Sequence, residues 1–222
     1  MLNSLRSRNI GITHSKLLIV GQPNTPGLSH IPFVIDEIAK TQEQLVTQGI
    51  SSLLLNNHAA TVESVLQSME LYPSIHLACH ASQNLKKPLS SGIHLHNGIL
   101  ELSAITKKNL PNANFAFLSA CQTSTGDENL PEEAVHLAAG MLAAGYRSVV
   151  ATMWSIFDVH APRVAESFYE SLLGDGQDEG RQRLDGISAA RALHYATQQL
   201  QEKVGNEPDF LLAWVPYIHV GI

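Results

Sequence analysis

The sequence predicts an α/β protein, a three-layer α/β/α sandwich around a mainly parallel central sheet. Apolar runs of five to eight residues alternate along the chain with longer segments of helical periodicity. These runs are nearly continuous rather than alternating apolar and polar, so helices are expected over both faces of the strands. With 222 residues and 44% apolar side chains, the chain can build one sizeable core.

The first strand is "KLLIV" (16–20), closed by Gly21 and Pro23. "PFVIDEIAKTQEQLVTQG" (32–49) sets Val34, Ile38 and Leu45 near helical spacing and stops on Gly49. "SSLLLNN" (51–57) is a second strand and "TVESVLQSME" (61–70) a second helix, with part of a capping box in Thr61, Glu63 and Ser64. "SIHLACHASQN" (74–84) is a third strand that stops on Cys79 and His80. In "GIHLHNGILEL" (92–102), Asn97-Gly98 between alternating apolar residues signals a hairpin. "NFAFLSAC" (114–121) is a fourth core strand, stopping on Cys121.

"PEEAVHLAAGMLAAG" (131–145) is a helix with Pro131 near its start, acids in its first turn and Gly145 at its stop. "RSVVATMW" (147–154) is a fifth core strand. "APRVAESFYESLL" (161–173) and "ISAARALHYATQQLQEKV" (187–204) are amphipathic helices, and "AWVPYIHVG" (213–221) is a last strand. "GDGQDEGRQRLDG" (174–186) is charged and glycine-rich, an exposed loop within one domain and a place for processing or gating. Residues 1–15 are expected to be a flexible extension and 16–222 a single domain.

Composition excludes several classes. The net charge is 14 − 20 = −6 and no block of five basic residues occurs, so no nucleic-acid partner is expected. No apolar run approaches the roughly 18 residues of a membrane span, and the N-terminus carries no signal-peptide core. Arg6, Arg8 and Lys16 precede the first acid, Asp36, a bias shared with transit peptides, but the first strand follows too soon for that reading. Two cysteines in a chain this long point to a reducing, cytoplasmic compartment. "GQPNTPG" lacks the lysine of a phosphate loop, and no cofactor is expected. His94 and His96 form a His-x-His pair without an evident third ligand, so no metal is expected.

In an open parallel sheet, ligands bind at the carboxyl ends of the strands. His80 and Cys121 fall at two such ends. Neighbouring strands about 4.8 Å apart would let the two groups cooperate. The thiolate is the nucleophilic form of cysteine, and a nearby histidine both promotes it and protonates a leaving amine. Small residues follow each candidate, Ala81 after the histidine and Gln122-Thr123-Ser124 after the cysteine, leaving backbone N–H groups open to a developing oxyanion. Buried cysteines and hydrogen-bonded histidines are also ordinary core residues. Spacing by itself leaves both readings open.

The longer strings "IHLACHA", "PLSSGIHLHNGILELSAI", "FAFLSACQTSTGD", "AAGMLAAGYRSVVATMWSIFD" and "SFYESLL" resemble, in order, the core blocks of the CHAT domain family. That family is related to caspases and separases. The resemblance runs from about residue 16 to the C-terminus. It implies a caspase-like fold and a cysteine endopeptidase with His80 on the base side and Cys121 as nucleophile. It also implies backbone N–H groups of Ala81 and Cys121 around the oxyanion.

The family usually has glycine where Ala81 stands, so a methyl is expected to border the site. Asp158 corresponds to the region where separases recognise a basic residue before the scissile bond, and Trp154 is a candidate wall of that pocket. The competing role for Asp158 is an N-cap of the following helix. Cys79 is expected on the opposite strand face from His80, and His76 one layer deeper on the same face. The expected partners are a protein substrate and regulatory repeat or nucleotide-binding modules, as in a signalling, defence or cell-death effector. The rival class is a CHAT-fold scaffold that no longer turns over, with Ala81 as the feature favouring it. A small-molecule hydrolase is a third.

Overall fold

The computed structural model describes residues 15–84, 86–108, 110–122, 134–153, 156, 158–174, 184–205 and 207–222. Strands β1 (Lys16–Gly21), β2 (Ser51–Asn56), β3 (Ser74–Ser82), β6 (Phe115–Gln122), β7 (Ser148–Thr152) and β8 (Tyr217–Gly221) form one sheet in the order β2-β1-β3-β6-β7-β8. All pairs on this path are parallel except β7–β8. A hairpin of β4 (Gly92–Leu95) and β5 (Gly98–Glu101) joins the sheet through β3.

The central strands β1, β3, β6 and β7 bury both faces. Leu17, Ile19, Ala78, Phe115, Phe117 and Val150 face one layer, formed by α1 (Val34–Thr47), α5 (Ala161–Gly174) and α6 (Ala189–Val204). Leu18, Val20, Ile75, Leu77, Cys79, Leu118 and Val149 face the other, formed by α2 (Val62–Met69), α3 (Leu102–Ile105) and α4 (Ala134–Ala144). The near-continuous apolar runs follow directly from this two-sided cover. The fold is therefore the three-layer sandwich expected from the sequence.

Local signals act as expected at several boundaries. Thr61 and Ser64 close a complete capping box on α2, with serine in the place of the more usual Glu or Gln. Gly49 and Gly145 follow α1 and α4 with φ of +66° and +116°, the left-handed region that ends helices on glycine. The start of the 131–145 helix and the Trp154 end of the fifth core strand lie outside the described residues.

Two boundaries differ from expectation. Strands β3 and β6 do not stop on His80 and Cys121 but continue to Ser82 and Gln122. The extra residues have ladder partners that the apolar run cannot announce: Ala81 pairs with Ile93 and with Gln122, and Ser82 pairs with Gly92. Ala213 and Trp214 belong not to the last strand but to a helix, α7 (Pro208–Trp214), which Pro208 opens. Pro216 follows before β8 begins, and a proline there cannot continue a helix.

Candidate active site

β1 ends at Gly21, opposite Ala78, whereas β3 runs four residues further. Beyond that point β3 has β6 on one side and the hairpin strand β4 on the other. The segment after β1, residues 22–33, crosses this end of the sheet. Its course is fixed by bonds from Gln22 N–H to Ala78 O (3.0 Å) and from Ile31 N–H to Pro23 O (3.1 Å). Divergence of the chain from β1 to β2 on one side and β3 on the other marks the crevice where open α/β sheets bind ligands.

His80 and Cys121 are direct register partners of the parallel β3–β6 pair, so they occupy the same face of adjacent strands, about 4.8 Å apart. The described part of Cys121 is its backbone; its thiol lies outside the described residues. His80 is 2% exposed, and its Nε2 lies 2.8 Å from the carbonyl oxygen of Ser29. A carbonyl only accepts, so Nε2 carries the hydrogen and Nδ1 holds the lone pair of the neutral ring. His80 Nδ1 has no hydrogen-bond partner among the described residues. The imidazole is thus oriented through one nitrogen, leaving the other for chemistry.

Four residues earlier on the same face, His76 is fully used. Its Nε2 meets Glu37 Oε1 at 3.1 Å and its Nδ1 meets Tyr169 Oη at 3.0 Å. The ring stacks on Phe117 with centroids 4.9 Å apart. Burial, and then the Glu37 charge, push the Tyr169 phenol well up, so its hydroxyl stays protonated and able to donate. This group braces α1, β3 and α5 below the crevice.

Asp158 opens a short 3-10 turn, Asp158–His160, ahead of α5. Its Oδ2 accepts from Phe33 N–H at 3.2 Å, the residue capping α1. The carboxylate therefore caps a helix 125 residues away in sequence. Burial raises its pKa above the usual carboxylate range, the Phe33 bond opposes that, Glu37 adds to it, and His80 and His30 oppose it. The interaction with His80 sets Asp158 near the crevice. Trp154 lies outside the described residues.

Ala81 is fully buried in the cluster of the opposite layer, together with Ile93 and Cys79. The expected methyl at the border of the site is therefore not there: the alternation of β3 turns it away from the His80 face. Cys79 is buried in that same core, on the opposite face from His80. His96 is exposed on the hairpin turn. The 174–186 loop is described only at its ends, where Leu184 is buried and accepts from the Asn114 side chain.

Sequence reasoning missed Ser29 and Glu37. A backbone carbonyl 51 residues from its histidine leaves no mark in sequence, and an acid on an amphipathic helix reads as a solvated face.

A mainly parallel sheet between two helical layers is an architecture that this chain shares with caspase-fold proteins. The structure resembles that of the Arg-specific cysteine proteinase gingipain R (RgpB), with a TM-score of 0.60 and 14% identity over 93% of this chain and 46% of that one. It also resembles the complex of the Porphyromonas gingivalis RgpB pro- and mature domains, with a TM-score of 0.58 and 13% identity over 93% of this chain and 47% of that one. At such identity the likeness is one of fold, and the chain spans about half the length of these relatives. No curated protein sequence matches the chain. The chain belongs to the CHAT domain family, whose profile matches residues 2–222. Among the described residues no helix is long and apolar enough to cross a membrane.

Proposed function

We propose that this domain is a cysteine endopeptidase with a His80–Cys121 dyad. The observation that carries the reading is the register pair itself, joined to a histidine held through Nε2 with Nδ1 unused among the described residues. The Cys121 thiol passes its proton to His80 Nδ1, and the Ser29 carbonyl steadies the imidazolium by accepting from Nε2–H. The thiolate attacks the scissile carbonyl carbon. His80 then returns the proton to the departing amine as the thioester forms. Water, with His80 as base, cleaves the thioester and frees the carboxylate product.

Backbone N–H groups of Ala81 and Cys121 are the proposed oxyanion donors. Both residues sit in ladders, so an oxyanion there would share or replace a ladder bond. Asp158 is the proposed selector of an Arg or Lys side chain before the scissile bond, supported by its acidic group near His80. Trp154 is the proposed wall of that pocket. The proposals of a protein substrate, of control by repeat or nucleotide-binding modules in signalling or defence, and of a cytoplasmic setting rest on the family resemblance and the cysteine content. The Ala81 methyl, the feature that favoured the scaffold alternative, is buried on the face away from His80.

A positional peptide library with wild type and Cys121→Ala tests the reading. Cleavage after Arg or Lys that vanishes in the variant supports it. A wild type that cleaves nothing, with Cys121 as slow to alkylate as buried Cys79, would return the scaffold to first place.

A further inference from the structure

The hairpin strand β4 carries a second imidazole to the edge of β3. Ala81 pairs with Ile93 and Ser82 with Gly92 in an antiparallel ladder, so the next position of β4, His94, lies across from His80. Ile93 is buried with Ala81 in the far core, and the alternation of β4 turns His94 to the other face, that of His80. Burial lowers the pKa of His94, and the charge of His80 lowers it further, as expected of neighbouring rings. His80 Nδ1 and His94 Nε2 are both buried, and neither has a hydrogen-bond partner among the described residues.

Nδ1 is the basic nitrogen of His80, because Nε2–H is committed to the Ser29 carbonyl. In the proposed reaction it hands its proton to the departing amine, so the amine leaves on the His80 side of Cys121. His94 stands beyond His80 on that side, since β4 and β6 flank β3 on opposite edges. Water that replaces the amine arrives beside His80 Nδ1, with the His94 ring as its next neighbour. Directly opposed residues of an antiparallel pair have Cβ atoms about 4.5–5.5 Å apart, a scale on which one water can bridge two side chains.

We propose that His94 orients the hydrolytic water of the second half-reaction, which donates one hydrogen to His80 Nδ1 and the other to His94 Nε2. The inference rests on the proposed dyad and adds a residue to its thioester-cleaving step. A water held by both hydrogens keeps its oxygen lone pairs free to face the acyl carbon. One proton passes from the water to His80 Nδ1 as the oxygen bonds to that carbon. The tetrahedral intermediate then expels the Cys121 sulfur, which takes the proton back from Nδ1, and the acid product is released. His94 holds its hydrogen bond throughout and exchanges no proton. It must be neutral to accept, and its burial favours that form.

The first half-reaction uses no water, so His94 separates the two halves. Thioester formation runs on Cys121 and His80 alone, and thioester hydrolysis requires His94 as well. The His-x-His string thereby divides in role. His96 is exposed on the hairpin turn, and its N–H bonds the Ala60 carbonyl at 3.0 Å.

The test follows hydrolysis of a peptide ester with Arg before the scissile bond by wild type, His94→Leu, His94→Phe, His94→Gln and His96→Ala, each checked for folding by circular dichroism. The leucine and phenylalanine variants should lower kcat and KM together by at least about tenfold and leave kcat/KM within about twofold of wild type. Mass spectrometry of acid-quenched protein should find the acyl group held on Cys121 in those variants. Hydroxylamine, which attacks the thioester without that water, should restore their turnover. His94→Gln retains an acceptor and should recover part of the rate, and His96→Ala should match wild type. Leucine and phenylalanine variants that turn over as wild type overturn the proposal and leave the dyad standing. So do variants that lose kcat/KM in step with kcat and hold no acyl group. A wild type whose Cys121 is never acylated removes the dyad, and the role of His94 falls with it.

Discussion

Two histidines, four residues apart on the same face of β3, divide the molecule into a region that holds and a region with a nitrogen to spare. His76 has both nitrogens engaged, by Glu37 and Tyr169, and its face stacked on Phe117. His80 has one nitrogen tied to a carbonyl and the other without a partner among the described residues. Burial does not separate them, since both are almost completely enclosed. The separating quantity is the count of unused ring nitrogens. A histidine with none braces structure, and a histidine with one, beside a cysteine position, has a lone pair to offer.

The largest expected effect sharpens that division at the rim. Cys121→Ala should lower kcat/KM on a peptide with Arg or Lys before the scissile bond by at least about 10³-fold, and His80→Ala by about 10²–10⁴-fold, with melting temperatures little changed. Activity that survives either substitution would break the comparison at its reactive end.

His76→Leu should do the reverse. It leaves the buried Glu37 carboxylate and the Tyr169 hydroxyl without their partner, and loss of such a pair costs about 3–5 kcal/mol. Urea unfolding should show that loss, while the folded fraction keeps its kcat/KM within a few-fold. A His76 variant as stable as wild type would deny it a bracing role.

Asp158 joins the two regions, because it caps α1 and stands near His80. Asp158→Asn retains an oxygen for Phe33 N–H but loses the charge, whereas Asp158→Ala loses both. Both should reduce the preference for Arg and Lys by about tenfold or more, and only the alanine should also cost about 1 kcal/mol of stability. An unchanged preference in both variants would leave Asp158 as a cap alone.

The smallest effect is one of pH. Burial lowers the pKa values of His94, His160 and His219 below the ordinary 6.5. Across the window from 6.5 down to each folded value, the unfolded chain binds more protons than the folded one. Stability therefore declines as pH falls through that window and is fully present above it. His94→Gln should flatten part of this decline in denaturant titrations between neutral and mildly acidic pH. An identical slope in wild type and variant would contradict the burial of that ring.

Much of the fold was legible because it follows from local chemistry. The β1 run, the Asn97-Gly98 turn and the glycine stops after α1 and α4 are each set by residues within a few positions. The strand ends at Ser82 and Gln122 were not legible, because their partners arrive from the hairpin and the neighbouring strand. Nor was α7, where Pro208 and Pro216 bracket a helix that the apolar run disguised as strand. At the candidate site, the types and order of His80, Cys121 and Asp158 could be read along the chain. The helix that Asp158 caps could not.

The sequence by itself determined the alternation of strands and helices, the burial of both sheet faces and the residue types at the crevice, since period and composition act over short range. Tertiary structure decided which nitrogen of His80 is tied to Ser29, that Ala81 turns its methyl into the opposite core, and that Asp158 caps α1. Each of these depends on groups brought together from segments far apart in the chain, and only the closing of the sheet and its loops sets them in contact.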